Sequence, residues 1–375
     1  MSIKNSKSIL CPIKKTSIGG QALIEGIMMK GPKKTSMAVR NPEGEMVIET
    51  WDTDSTSKPK VYRMPFLRGV FGFVDSMKSG YKCLMRSAEI AGIDDADTDN
   101  KQKTKPIQKN NDEENFDCVT NGKNITLNSE KVPVSDVGEE NAKKEDKSIK
   151  PWMMNMIMII ASVLGVVLAI VLFKGLPEFL YEFILLKLIP ALKKEGYVYS
   201  LLRGVFVGVL RIAILVIYML LVSLMKDIKR TFMYHGAEHK SIMCYEKGLE
   251  LTVENVRMQK RFHPRCGTSF LILMLIVGVF ISIFIPTELH SNSILNATFR
   301  TLISLALLPV MMSLGYELIK LAGKHDNWFT KVISAPGIWL QHITTKEPED
   351  SMIECAIVAL KNVIPDDGSD DWNKK

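Results

Sequence analysis

Four apolar stretches in the second half of this chain leave it few ways to fold. Met153 to Phe173 carries no charge over 21 residues, enough at about 1.5 Å per residue to cross a hydrocarbon layer of about 30 Å. Val205 to Met225 contains one charge, Arg211, and Thr268 to Pro286 contains none. Thr301 to Ala322 is interrupted by Pro309 and carries Glu317 and Lys320 towards its end. In lipid a segment must satisfy its own backbone donors and acceptors, so runs of this length read as helices. The expectation is a mainly α, polytopic membrane protein with about four transmembrane helices over residues 151–325, joined by interfacial amphipathic helices.

The connections suggest which way the spans run. The 226–267 loop holds nine Lys and Arg, and 287–298 holds none. Lys and Arg concentrate in cytoplasmic loops, so this loop and both termini are expected in the cytoplasm of a multi-pass plasma-membrane protein. The 174–200 segment then lies outside despite its four Lys. Within it Pro177 to Leu192 reads as an interfacial helix. Arg211, about six residues inside the second span, would snorkel to Glu178, Glu182 or a lipid phosphate. All six Cys fall on the cytoplasmic side, as reduced thiols would. Met1 to Pro12 lacks an apolar core, so no cleaved signal peptide is expected. The net charge of +7, spread beside the spans without a basic-aromatic pattern, suits anionic lipid headgroups and not nucleic acid. A homo-oligomer is compatible with this reading.

The same loop carries the densest group of metal-ligand side chains, Tyr234-His235-Gly236-Ala237-Glu238-His239-Lys240. Residues four apart share a helical face, so His235 and His239 can present two imidazoles to one divalent cation, zinc by preference. With Glu238 between them the spacing is H-x-x-E-H, that of inverzincins, in which the Glu activates the attacking water. Glu238 is therefore the candidate catalytic base. Glu317 is the first choice for a third ligand, because the fourth span should return it to the level of this loop. Glu254 and His263 compete for that place, with Cys266 ranked behind them. Arg257, Arg261 and Arg265 are candidates for binding an anionic substrate. The plainer alternatives are an interfacial helix whose imidazoles make hydrogen bonds, and a Glu317 paired with Lys320, Lys324 or Arg230.

Upstream, residues 1–92 should form a cytoplasmic segment. Four Gly and a Pro around a short apolar run in Ser17 to Pro32 suggest backbone held close to something else. Met37–Arg40 and Met46–Thr50 flank Asn41-Pro42-Glu43-Gly44, a turn signal, which predicts a small β-hairpin. Pro65 to Ala91 has apolar residues every three to four positions and predicts an amphipathic helix, with breaks at Gly69 to Gly72 or Gly80. Its Phe66-Leu67-Arg68-Gly69-Val70-Phe71 is echoed by Leu201-Leu202-Arg203-Gly204-Val205-Phe206. Residues 93–150 are rich in Asp, Asn, Lys, Glu and Ser and read as a disordered insert. Residues 326–375 should be a cytoplasmic tail. In it Ser334–Thr345 is an interfacial piece anchored by Trp339, and Asp350–Val363 is a helix docking through Met352, Ile353, Ala356, Ile357, Leu360 and Val363.

Several stretches taken together resemble one family, the YqhQ-like bacterial membrane proteins of unknown function, predicted to be metal-dependent enzymes. They are Gly19 to Pro32, Tyr234 to Lys240, Leu251 to Arg257 and His263-Pro264-Arg265-Cys266-Gly267-Thr268-Ser269-Phe270, with Tyr316-Glu317, Trp339-Leu340-Gln341 and Thr344 to Pro348. The resemblance implies a bacterial plasma-membrane protein with a metal site. Two functions are expected from it and from the residues. One is a membrane-embedded, metal-dependent hydrolase working at the cytoplasmic surface. The other is a non-catalytic scaffold or regulator in which the same residues form a structural metal or hydrogen-bond knot.

Overall fold

The computed structural model describes residues 14–53, 62, 64, 67–92, 151–188, 197–286, 289–324 and 327–371. The predicted insert at 93–150 lies outside the described residues, as do Cys11 and Cys118. Among the described residues helix dominates, and the one sheet lies near the N-terminus.

The predicted hairpin is half of that sheet. Strands β1 (Gly19–Leu23), β2 (Gly26–Lys30), β3 (Lys34–Arg40) and β4 (Met46–Asp52) run as an antiparallel meander in chain order. The glycine-rich stretch supplies β1 and β2 through a tight turn in which Glu25 adopts φ 49°. Two hydrogen bonds of 2.5 and 2.6 Å from Arg230 hold the Glu25 carboxylate. Both faces of the sheet are covered, and the two-residue period of a strand decides which side chain goes where. Ile27, Met29 and Ala38 face a core built from helix α5 (Lys226–Glu246) and helix α11 (Asp350–Lys361), while Met28, Met37 and Val39 face Cys83 of helix α1 (Leu67–Ile90). The six apolar positions predicted to dock α11 are all buried.

Helix α1 is unbroken. The glycines that suggested breaks are points of close approach. A Cβ on Gly69 would lie 3.0 Å from Ser313 of helix α9 (Leu308–Lys324), and one on Gly80 would lie 2.3 Å from the Gln21 side chain of β1. Packing restores what the missing side chains cost in helix propensity.

Among the described residues two helices are long and apolar enough to cross a membrane, Ile160–Tyr181 and Tyr199–Val222, and a third candidate is the bent pair Leu295–Ala306 and Leu308–Ala322. The first is longer than expected. Helix α2 (Pro151–Ile170) continues through a π-helical turn, Val171–Gly175, into helix α3 (Leu176–Leu188). The predicted separate interfacial helix over Pro177 to Leu192 is therefore, up to Leu188, an extension of the first apolar helix, and its last four residues lie outside the described ones. The second span is helix α4 (Tyr197–Val222), and Arg211 stands at the midpoint of its membrane-length window, deeper than expected, 3.5 Å from Glu178. The third apolar run forms helix α7 (Gly267–Ser282), 16 residues long and so about 24 Å. The fourth is broken by 43° between helix α8 (Ser293–Ala306) and α9. Pro309, just inside α9, cannot donate to the preceding turn. Val163, Leu164, Val166 and Leu168 of the first apolar helix are all more than half exposed, a surface that water would not tolerate at this size.

The tail forms a helix longer than the predicted interfacial piece, α10 (Trp328–Thr344). It starts at a capping box of Asn327 and Thr330 and packs closely on α7. Trp339 is 70% exposed on its outer face.

Candidate metal centre

Helix α5 places the H-x-x-E-H residues. Its middle, from Tyr234 to Ile242 apart from His235, is buried all round, because the sheet, α11 and the short helix α6 (Val253–Arg257) surround it. Even Lys240 is 2% exposed, its ammonium donating to the Arg257 carbonyl at 2.8 Å and to Glu347 at 2.5 Å.

His235 and His239 stack edge-on with ring centroids 4.4 Å apart. Each ring is oriented by a backbone carbonyl on Nδ1, that of Thr344 at 2.9 Å for His235 and that of Arg261 at 2.6 Å for His239. A carbonyl can only accept, so both Nδ1 atoms carry hydrogen. The other nitrogens then turn inward. His235 Nε2 lies 3.0 Å from the Cys266 sulfur, and His239 Nε2 is buried with no hydrogen-bond partner among the described residues. The two imidazole nitrogens and Cys266 Sγ lie within 4.8 Å of one another. Ligand bonds of about 2.0–2.3 Å would place three such atoms roughly 3.3–3.8 Å apart around a tetrahedral zinc. The carbonyls supply the outer shell that metal-binding histidines require.

Cys266 is delivered as the residue that caps the start of α7. The loop before it is clamped to α10 by Gln341, fully buried, which accepts from the His263 backbone N–H at 2.8 Å and donates to the His263 carbonyl at 2.8 Å and to Ser269 at 3.1 Å. Burial opposes ionisation of the Cys266 thiol, yet the two imidazoles hold it well below the ordinary thiol range. Burial likewise opposes charge on His235, but Cys266 and Glu238 lift it to about 9. Burial pushes the Glu238 carboxyl up from its ordinary value, although both imidazoles pull it down.

Glu238 also explains the glycine-rich motif. A Cβ on Gly20 would meet Cγ and Cδ of Glu238 at 2.9 Å. Gly20 lies as well in the wall of a cavity of about 570 Å³ between β1, β2 and α1, bordered by Gln21, Lys30, Ser76 and Ser79.

The remaining predicted residues are elsewhere. Glu317 is not in the cluster, because Arg68 of α1 grips both its oxygens at 2.6 and 2.5 Å. Glu254 is exposed on α6. His263 is buried 5.7 Å from the His239 ring but turns its Nε2 to Glu246. Of the three arginines, Arg257 is paired with Asp350 and Arg265 with Glu246. Arg261 lies 3.5 Å from Glu347, its guanidinium over the Phe262 ring. None is left as an open anion cradle. Cys266, ranked last from sequence, is the residue that joins the two imidazoles. Its one sequence signal was its place at the foot of an apolar run, where a helix starts.

Fold and site together define a mostly helical protein with membrane-length spans and a sheet-backed histidine–cysteine cluster at the foot of a short apolar helix. The chain belongs to the family described as "Protein of unknown function (DUF1385)", whose profile matches residues 64–366. It is 28% identical over 361 residues to "Uncharacterized protein YqhQ" of Bacillus subtilis (strain 168), covering 95% of each chain. No solved structure matches it.

Proposed function

We propose that this protein is a membrane-embedded, metal-dependent hydrolase that works at the cytoplasmic face of the plasma membrane. The observation that carries the reading is the pair of imidazoles, one half-buried and one buried, whose Nδ1 hydrogens are spent on carbonyls while one nitrogen of each ring lies within 4.8 Å of a single sulfur. His235, His239 and Cys266 would hold the cation, and the nitrogen and sulfur donors favour zinc. A cation there would supply Lewis acidity towards a water and towards the scissile group. Glu238 takes the proton of the attacking water and returns it to the leaving group, a role suited to a carboxyl whose burial raises its pKa from the ordinary value. The cavity behind Gly20 would receive the substrate. The distribution of Lys and Arg supports four crossings, with α7 and the bent α8–α9 pair completing the set, both termini inside and anionic lipid around the inner ends.

Elemental analysis of the purified full chain tests the metal. About one equivalent of zinc is expected in the wild type and a small fraction of it in His235→Ala and His239→Ala. A wild type without a bound transition metal would sink the proposal. The second reading, a structural knot without catalysis, is favoured by one observation: the cluster ties α5, α7 and the end of α10 together through Cys266 and the Thr344 carbonyl. Glu238→Gln separates the two, since only a hydrolase should lose function while keeping its metal.

A further inference from the structure

A second polar site lies at the far end of α7 from Cys266, among α3, α4, α7 and α8. We propose that it binds a phosphate-type anion. Lys174, Arg203, Arg211 and Arg300 bring four positive charges to one cavity of about 40 Å³, and Glu178 is the only carboxylate among its described lining residues. Four cations and one anion leave a net charge of +3. Both oxygens of that carboxylate are already engaged, one by Arg203 at 2.7 Å and the other facing Arg211 at 3.5 Å. The Nε atoms of Arg203 and Arg211 are buried with no hydrogen-bond partner among the described residues. These groups lie on membrane-length helices, where an uncompensated charge is costly and marks function by default.

The chemistry of the missing counter-charge follows from the donors. Guanidinium groups present forks that match tetrahedral oxyanions, and an ammonium adds a point charge. The cavity admits about three water-sized groups. That suits a phosphate group. Either a lipid headgroup or free phosphate would meet these demands. Nothing in the inference depends on the histidine–cysteine cluster.

Native mass spectrometry of the full chain in non-ionic detergent, titrated separately with phosphatidylglycerol and with inorganic phosphate, tests it. One adduct per chain is expected, at least tenfold weaker in Arg300→Gln and in Lys174→Gln and recovered in Arg300→Lys. Binding of phosphatidylglycerol alone assigns the site to a lipid headgroup, and binding of both probes assigns it to free phosphate. Melting curves identify variants that fail to fold, and the charge-preserving Arg300→Lys then carries the comparison with Lys174→Gln. No adduct with either probe, or equal binding by the wild type and both neutral variants, overturns the proposal.

Discussion

Replacing Cys266 by Ala removes one of the three proposed ligands, and the structure sets what should follow. Two effects must be separated. The Cys266 sulfur lies 3.0 Å from His235 Nε2, and losing that bond alone is worth about 1 kcal/mol. A cation bound at a free concentration about a hundred times its dissociation constant adds about 2.7 kcal/mol of stability. In a folded unit of roughly 150–250 residues each kcal/mol moves Tm by about 2–4 °C. Chelating the wild type should therefore lower Tm by roughly 5–11 °C. Cys266→Ala should start lower, hold little metal and not respond to chelator. Thermal melting with and without EDTA, on samples whose zinc has been measured, reads both effects. A variant that keeps a full equivalent of metal, or a wild type indifferent to EDTA, would refute the assignment. A pure hydrogen-bond knot predicts only the smaller, chelator-independent loss.

Glu238→Gln should keep zinc within the error of the wild-type ratio and melt no lower, since it replaces a carboxyl that burial already disfavours as an anion; activity-linked phenotypes in cells should disappear. Gly20→Ala must move the Glu238 side chain or the Met28 carbonyl, 2.9 and 2.8 Å from the new Cβ, at a cost of about 1–3 kcal/mol; metal content should be unchanged, and denaturant titration measures the cost. Glu317→Gln should leave zinc bound, since that carboxylate serves Arg68; a loss of metal on elemental analysis would reinstate it as a ligand. Burial opposes ionisation of Glu246, but a hydrogen bond from His263 and the charge of Arg265 hold its carboxyl below the ordinary range. A lowered folded pKa gives stability that is complete above the unfolded value near 4.5 and is lost as the pH falls through the folded one. Glu246→Gln should flatten that acid limb, measured as Tm between neutral pH and pH 3.

Much of the architecture could be read from local pattern. The docking face of α11, the β3–β4 hairpin, the amphipathic α1 and the apolar runs are periodicities, and periodicity is a property of neighbouring residues. The echoed Arg-Gly pairs behave alike as well: Arg68 and Arg203 each pair with a Glu on another helix, and Gly69 and Gly204 each lie against a neighbouring helix. The ligand set was only partly legible. His235, Glu238 and His239 lie within one turn of helix, so spacing fixed their shared face. The third member of the cluster, Cys266, comes from another element, and depth in the membrane favoured Glu317, which a guanidinium from residue 68 had already claimed.

The amino-acid order alone settled that long apolar helices, a small sheet and a helical H-x-x-E-H stretch would form, because hydrophobic period, turn residues and helix spacing act over a few positions. Tertiary structure alone decided that Cys266 joins the imidazoles, that Thr344 and Arg261 carbonyls set their tautomers, and that Gly20 makes room for Glu238. Those choices depend on which segments meet across 22 to 218 positions of chain, and on which buried donors and acceptors are left to one another once the backbone has packed.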